Sequence, residues 1–176
     1  FDRVESDQAQ QEYKKSWLLH SQNEPVIQEK RIILTNGEGK LINDTLLPEN
    51  PSFEKIGGEG HQYEAAGINY PLRDTEESGN WRTEISYPAS QETEYFLNVI
   101  QVSDNNDDIQ PLESQQYDID THVGIQIFNR VAYISKSEAR TNQMIQVTGC
   151  GTQELQFQVD GLQEGTWEIS GNDTSF

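Results

Sequence analysis

At 176 residues the chain has room for one domain with a sizeable core, or for that domain and a smaller β unit after it. Hydrophobic residues are 33%, charged residues 24%, and the 13 Gly and 6 Pro are scattered, which excludes a disordered, collagen-like or disulfide-rich chain. With 30 Asp and Glu against 12 Lys and Arg the formal charge is −18, a field that repels phosphate backbones and argues against nucleic acid as a partner.

Cys150 is the single cysteine, so neither an internal disulfide nor a Cys-x-x-Cys zinc pair can form. No window approaches the roughly 20 apolar residues of a membrane span, so no membrane association is expected. The start, FDRVESDQ, lacks the basic and apolar regions of a signal peptide. It also lacks an initiator Met and opens inside a strand-like run, Phe1 to Val4. The chain therefore reads as a piece of a longer protein, with any targeting signal upstream.

In chain order, strands are expected at 1–4, at KSWLLH (15–20), at RIILT (31–35) and at LINDTLL (41–47). Asn36-Gly37 between the last two is a hairpin signal, and Glu38-Gly39 makes its loop longer than two residues. Residues 57–80 carry five glycines and two tyrosines without a stable period and read as loop. In WRTEISY, Trp81, Thr83, Ile85 and Tyr87 fall on one face while Arg82, Glu84 and Ser86 fall on the other. EYFLNVI (94–100) follows, then an acidic loop at 103–118. Val123, Ile125 and Ile127 alternate in VGIQIF, and VAYIS (131–135), MIQVT (144–148), LQFQV with Leu155, Phe157 and Val159 inward, and TWEIS (166–170) complete the set. No segment holds a 3.6-residue period for three turns. The expected fold is all-β: an antiparallel β-sandwich of stacked sheets, with room for a smaller C-terminal β subdomain. Residues 1–102 form the main β-sheet region, 103–118 the acidic loop, and 119–176 either complete the sandwich or form the subdomain.

Chemistry-bearing constellations are sparse. Asp104-Asn105-Asn106-Asp107-Asp108 bunches oxygen ligands of the kind Ca²⁺ takes, but lacks the EF-hand's turn glycine and terminal Glu and reads as a solvated loop. His20, His61 and His122 are about forty and sixty positions apart, and their spacing proposes no metal site. There is no Gly-x-Ser-x-Gly elbow and no phosphate-binding glycine loop. Cys150, flanked by glycines, reads as a small buried filler. Acid pairs such as Glu76-Glu77 and Asp107-Asp108 point to opposite faces of an extended chain and make no glycosidase pair. Trp17, Trp81 and Trp167, with Tyr63, Tyr70 and Tyr87, could stack on sugar rings, yet each tryptophan is in phase with the apolar face of its strand. Asn43-Asp44-Thr45 and Asn172-Asp173-Thr174 match the glycosylation sequon, a pattern common by chance.

The order of segments says more than any one of them. FDRV (1–4), KKSWLLHSQNEPVI (14–27), TNGEGKL (35–41), NDTLLPEN (43–50), WRTEISYP (81–88) and YFLNVIQVSD (95–104), closed by VDGLQEGTWEIS (159–170), resemble the C-terminal β region of heparinase II/III-type polysaccharide lyases. The resemblance implies a larger secreted or periplasmic enzyme: an N-terminal α/α toroid carrying the groups of β-elimination, then stacked β-sheets. It implies an anionic, uronic-acid-containing polysaccharide as the parent's substrate, the toroid as this chain's partner, and a periplasmic or extracellular location. Some members hold a structural divalent metal through His-x-His, Asp and Ala-His-Asn segments. None of these motifs occurs here, so no cofactor, metal ligand or catalytic residue is assigned to these residues. His20 matches the histidine of the family's Trp-Leu-Leu-His strand and is expected to be a hydrogen-bonded strand-end residue whose polar face could border the cleft between toroid and sheet. Trp17 and Tyr63 are the other expected carbohydrate or cleft contacts. Two further readings stay open: an independent carbohydrate-binding module and a structural interaction module with a sticky edge strand.

Overall fold

The computed structural model describes residues 1–7, 13–71, 79–106, 110–168 and 170, and contains strands and no helix among them. Contacts divide the chain into two compact units, Phe1–Pro111 and Leu112–Phe176. The expected all-β fold is thus present, built mainly of antiparallel sheets.

The first unit holds a five-stranded and a three-stranded sheet. The larger runs β1 (Asp2–Glu5), β10 (Thr93–Asp104), β5 (Gly39–Leu47), β4 (Arg31–Asn36), β3 (Val26–Gln28). The smaller runs β2 (Ser16–Ser21), β9 (Trp81–Ser86), β6 (Ser52–Gly57). A short hairpin, β7 (Glu64–Ala65) and β8 (Ile68–Asn69), lies in the glycine-rich stretch expected to be loop. Alternation works as the sequence requires: Thr83 and Ile85 of β9 are buried, in a row with Leu19 and Trp17 of β2. Ile32, Ile85 and Phe96 are fully enclosed, each contributing about 1.5–3 kcal/mol. Phe96 meets Tyr87 edge-on at 5.9 Å between ring centroids.

Polar side chains share that core. Asn43 and Thr45 are buried on β5 and form a net with Asn98 of β10, in which Thr45 Oγ1 donates to Asn98 Oδ1 at 2.9 Å. Enclosure of Asn43 keeps its amide from a glycosylating enzyme in the folded state, whatever the sequon. The β4–β5 hairpin pairs Asn36 with Gly39, so its loop is two residues, shorter than expected. Gly37 takes φ +57° as the first of them, a conformation that glycine adopts without a Cβ penalty.

The second unit is one four-stranded sheet, ordered β11 (Ser114–Asp118), β12 (His122–Ile127), β13 (Arg130–Ser135), β14 (Gln156–Val159). β11 lies within the stretch expected to be an acidic loop, and the end of β10 does too. β14 runs parallel to β13, which requires the crossover supplied by residues 136–155. Four sequence expectations fail here. In β12 the face opposite Val123 is also covered, since His122, Gly124 and Gln126 are all buried. Phe157 of β14, expected inward, is exposed.

MIQVT (144–148) is not a strand. Side chains occupy the backbone groups that a ladder would use: Tyr133 Oη donates to the Thr148 carbonyl at 3.0 Å and accepts from Thr148 N–H at 2.9 Å. Gln126 does the same at Cys150, donating to its carbonyl and accepting from its N–H at 2.8 Å. Buried backbone polar groups need partners, and these two side chains replace a neighbouring strand. TWEIS is likewise not a strand over 166–168. Ile169, Glu76-Glu77, Asp107-Asp108 and the 172–174 sequon lie outside the described residues.

Candidate functional site

In an antiparallel ladder, directly opposed residues share a face. Ser16, Leu18 and His20 of β2 stand opposite Ser86, Glu84 and Arg82 of β9, which stand opposite Ser52, Glu54 and Ile56 of β6. This is the outward face of the three-stranded sheet, and it carries a cluster of charged groups, Glu54, Arg82 and Glu84, with Lys14 beside them. Glu84 and Glu54 oppose each other, an arrangement that like charges make costly. Lys14, just ahead of β2, offsets it by donating to Glu54 Oε2 at 2.9 Å and to Glu84 Oε2 at 3.2 Å. Ser16 Oγ donates to the same Glu84 oxygen at 3.3 Å, and Arg82 Nε donates to Glu84 Oε1 at 3.0 Å. Arg82 Nη2 also donates to the Glu64 carbonyl at 2.8 Å, tying the β7–β8 hairpin to the face. His61 pairs with the Glu64 carboxylate through Nδ1.

Partial burial pushes the Glu84 carboxyl up, but Lys14 and then Arg82 outweigh it and hold the group below its ordinary value. The Lys14 ammonium is held above its own, chiefly by its bond to Glu54. Glu84 is therefore ionised near neutral pH and saturated with donors. A general acid or base works best with a pKa near the working pH, and this carboxylate is tuned away from it. Lys14 and Arg82, the cations a uronate would meet, already serve carboxylates.

His20 sits on this face, opposite Arg82 and one residue from the end of β2. His20 is exposed, and no hydrogen bond to its ring forms among the described residues. Trp17 points the other way, half-buried in the row with Ile85 and Phe53. The pleat thus separates His20 from Trp17. Tyr63 precedes β7 and is half-buried, with its N–H donating to Asn69 Oδ1 at 3.0 Å and its carbonyl accepting from Tyr70. Trp81 is half-buried against Gly57 and Gly58, with the Lys55 ammonium 5.8 Å from its ring centroid. Trp167, also half-buried, donates Nε1–H to the Gln163 carbonyl at 3.0 Å. No tryptophan offers a fully open face for sugar stacking.

His122 is 1% exposed. Its Nε2 lies 3.1 Å from the Asp160 carbonyl, which can only accept, so that nitrogen carries the proton, and its Nδ1 lies 2.8 Å from Thr121 Oγ1. The ring clamps the turn before β12 to the chain after β14. Cys150 is exposed rather than a buried filler. Burial, reinforced by the neighbouring Cys150, pushes the Tyr117 phenol up to about 12. Asp104–Asn106 folds onto the β4–β5 turn, with Asn105 N–H donating to the Glu38 carbonyl at 2.6 Å. Among the described residues no three His, Cys, Asp or Glu side chains come together as a metal set.

The face of β2, β9 and β6 went unread in the sequence because Lys14 and Glu64 lie outside the strands that carry it. Arg82-x-Glu84 alone had the period that places two charges side by side. In the second unit, Gln126, Tyr133 and His122 clamp the sheet to a crossover that forms no strand among the described residues.

Residues 116–176 match the heparinase II C-terminal domain. The match covers β11 from Gln116 onward, β12, β13, the clamped crossover and β14, and includes the Gly-Leu-x-x-Gly-x-Trp close quoted above. It agrees with the resemblance drawn from the order of segments along the chain. No curated protein matches the chain. The heparinase II domain is by its name C-terminal, so an upstream domain of the same polypeptide is implied.

Proposed function

We propose that the chain is the noncatalytic C-terminal β portion of a heparinase II/III-like polysaccharide lyase, whose β-elimination at uronic-acid linkages is performed by residues preceding Phe1. The observation that carries this reading is the heparinase II C-terminal domain over 116–176. Elimination next to a uronate needs a group to neutralise the carboxylate, a base for the C5 proton and an acid for the leaving oxygen. The charged face of the first unit suits that task poorly, since its cations are bonded to Glu54 and Glu84 and Glu84 is held ionised. A net charge of −18 likewise repels an anionic glycan.

In this reading the partner is an upstream α/α toroid of the same polypeptide, the substrate of the whole is an anionic polysaccharide, any structural divalent metal is held upstream, and the location is periplasmic or extracellular. The test is incubation of the folded chain with uronic-acid-containing glycans, following the ultraviolet absorbance of the unsaturated product. No product is expected. Sustained turnover by the chain alone refutes the reading.

A further inference from the structure

Asn36 and Asp160 are the two Asn or Asp residues that precede a glycine. Such a pair can react with itself, because no side chain beside the glycine nitrogen shields it from the neighbouring amide or acid. The structure treats the two pairs differently. Asn36 ends β4 and is exposed, and among the described residues its side-chain amide makes no hydrogen bond. Gly37 follows in the two-residue loop, outside the ladder that closes with Asn36 opposite Gly39, and its N–H donates to no turn or loop carbonyl among the described residues. A Cβ built on Gly37 meets no atom within 4 Å, so the turn is open on that side. Asp160, by contrast, is held at both ends: its Oδ1 accepts from Ser135 N–H at 2.6 Å and its carbonyl accepts from the His122 ring at 3.1 Å. A Cβ built on Gly161 falls 2.6 Å from Ser135 Cβ, so that turn is closed.

The open turn also carries a neighbour. Asn105 N–H donates to the Glu38 carbonyl at 2.6 Å and Asn105 Nδ2 to the Gly37 carbonyl at 3.5 Å, which seats residues 104–106 on the loop. Asp104 stands opposite Gly39 and Glu38 is exposed between them and Gly37, so a further negative charge here meets two others.

We propose that Asn36 is a site of spontaneous covalent modification, converting to aspartate and isoaspartate through a cyclic imide with Gly37, and that the isoaspartate form releases residues 104–106 from the turn. The Gly37 nitrogen attacks Asn36 Cγ and forms a C–N bond; the Asn36 amide nitrogen leaves as ammonia, taking the proton that the Gly37 nitrogen gives up. Water then opens the five-membered imide at either carbonyl. Opening at the backbone carbonyl leaves the main chain one methylene longer between residues 36 and 37, with a carboxylate beside it. The reaction needs Asn36 turned out of the extended conformation, and the end of a ladder is where local opening is easiest.

The test is incubation of the folded chain in mildly alkaline buffer, with peptide mass spectrometry to score amide converted to acid and an isoaspartate methyltransferase to label the isomer. Position 36 should convert at least about tenfold faster than any other described asparagine, and faster by as much than Asp160 isomerises. Asn36→Gln, whose longer side chain cannot close the five-membered ring, should abolish conversion at 36 and leave the urea midpoint unchanged; Gly37→Ala should slow it by about tenfold, although alanine is strained at φ +57°. In the isoaspartate fraction the Asn105 amide should exchange with solvent at least about tenfold faster than in unmodified chain, whereas Asn36→Asp, which adds the charge without the methylene, should keep most of its protection. An Asn36 that stays intact in the folded chain while converting in urea overturns the proposal, as does conversion of Asp160 at the same rate. Unchanged Asn105 exchange in the isoaspartate fraction overturns the release of residues 104–106.

Discussion

Alanine in place of Gly124 places a Cβ in the most crowded point of the second unit. Gly124 stands between Tyr117 of β11 and Tyr133 of β13, directly opposite both. A Cβ built there falls 2.7 Å from Tyr133 Cε1, 2.8 Å from Cζ and 2.9 Å from Tyr117 Cβ. The Tyr133 ring has no room to yield. Tyr133 is fully buried, stacked on Tyr117 at 6.1 Å between centroids, and anchored at its tip to both backbone groups of Thr148. Overpacking of this kind costs about 1–3 kcal/mol, and loosening the Tyr133–Thr148 bonds adds roughly 1 kcal/mol for each. Against this, the glycine-to-alanine change gains about 0.4–1 kcal/mol by restricting the unfolded chain. The net loss is about 3 kcal/mol, a fall in Tm of roughly 15–20 °C for a unit of this size. Urea unfolding of Gly124→Ala beside the unsubstituted chain reads it directly, with Tyr133→Phe as a companion that removes only the hydroxyl. If Gly124→Ala proves as stable as the parent chain, the stacked tyrosines do not hold the crossover in the way described.

Three other consequences are open to measurement. Glu84 is held below its ordinary value of 4.5, so its bonds to Lys14 and Arg82 stabilise the fold above that pH and lose their effect as pH falls through the lower folded value. A pH series of urea midpoints should therefore fall more steeply below 4.5 for the parent chain than for Glu84→Gln, and parallel curves would contradict the assignment. Tyr117 is raised to about 12 from 10.0, which favours its neutral form in the folded state, so stability should drop as pH rises from 10.0 towards 12, and Tyr117→Phe should remove that part of the drop. Phe128 opens the β12–β13 turn at φ +54° with 63% of its surface exposed, so Phe128→Gly should raise Tm by a few degrees: relief of about 1–2 kcal/mol of left-handed strain exceeds the added chain entropy, and a lower Tm would show that the ring is needed.

The three segments with apolar and polar residues in alternation, WRTEISY, VGIQIF and LQFQV, form β9, β12 and β14, and strands also stand at the expected β1, β2, β4, β5, β10 and β13, whereas MIQVT and TWEIS form none among the described residues. β3, β6 and β11, like the β7–β8 hairpin, are not announced by the sequence. β3 has three residues, SFEKIG of β6 has only Phe53 and Ile56 apolar and out of period two, and SQQYD of β11 carries no apolar alternation and depends on β12 for its place. MIQVT has the composition of a strand, yet tertiary bonds from Tyr133 and Gln126 replaced its ladder, and nothing local in 144–148 announces that. Gln126 reads as the outward residue of VGIQIF because an amide is polar, but its two-sided bonding to Cys150 lets it lie buried. Of the residues singled out for carbohydrate contact, the pleat itself tells that Trp17 and His20 face opposite ways. The charged face around Glu84 needed the pairing of β2 with β9 and of β9 with β6, which connects residues up to 70 positions apart and cannot be read locally.

The central claim is that the proton-transferring groups of the lyase lie outside these residues. Its most direct test is the turnover rate of the parent polypeptide on a uronic-acid-containing glycan after His20 and Glu84 are together replaced by glutamine, with folding checked by the urea midpoint. The account predicts kcat within about threefold of the unsubstituted enzyme; a loss of about 10²-fold or more, the usual cost of removing a general acid or base, would contradict it.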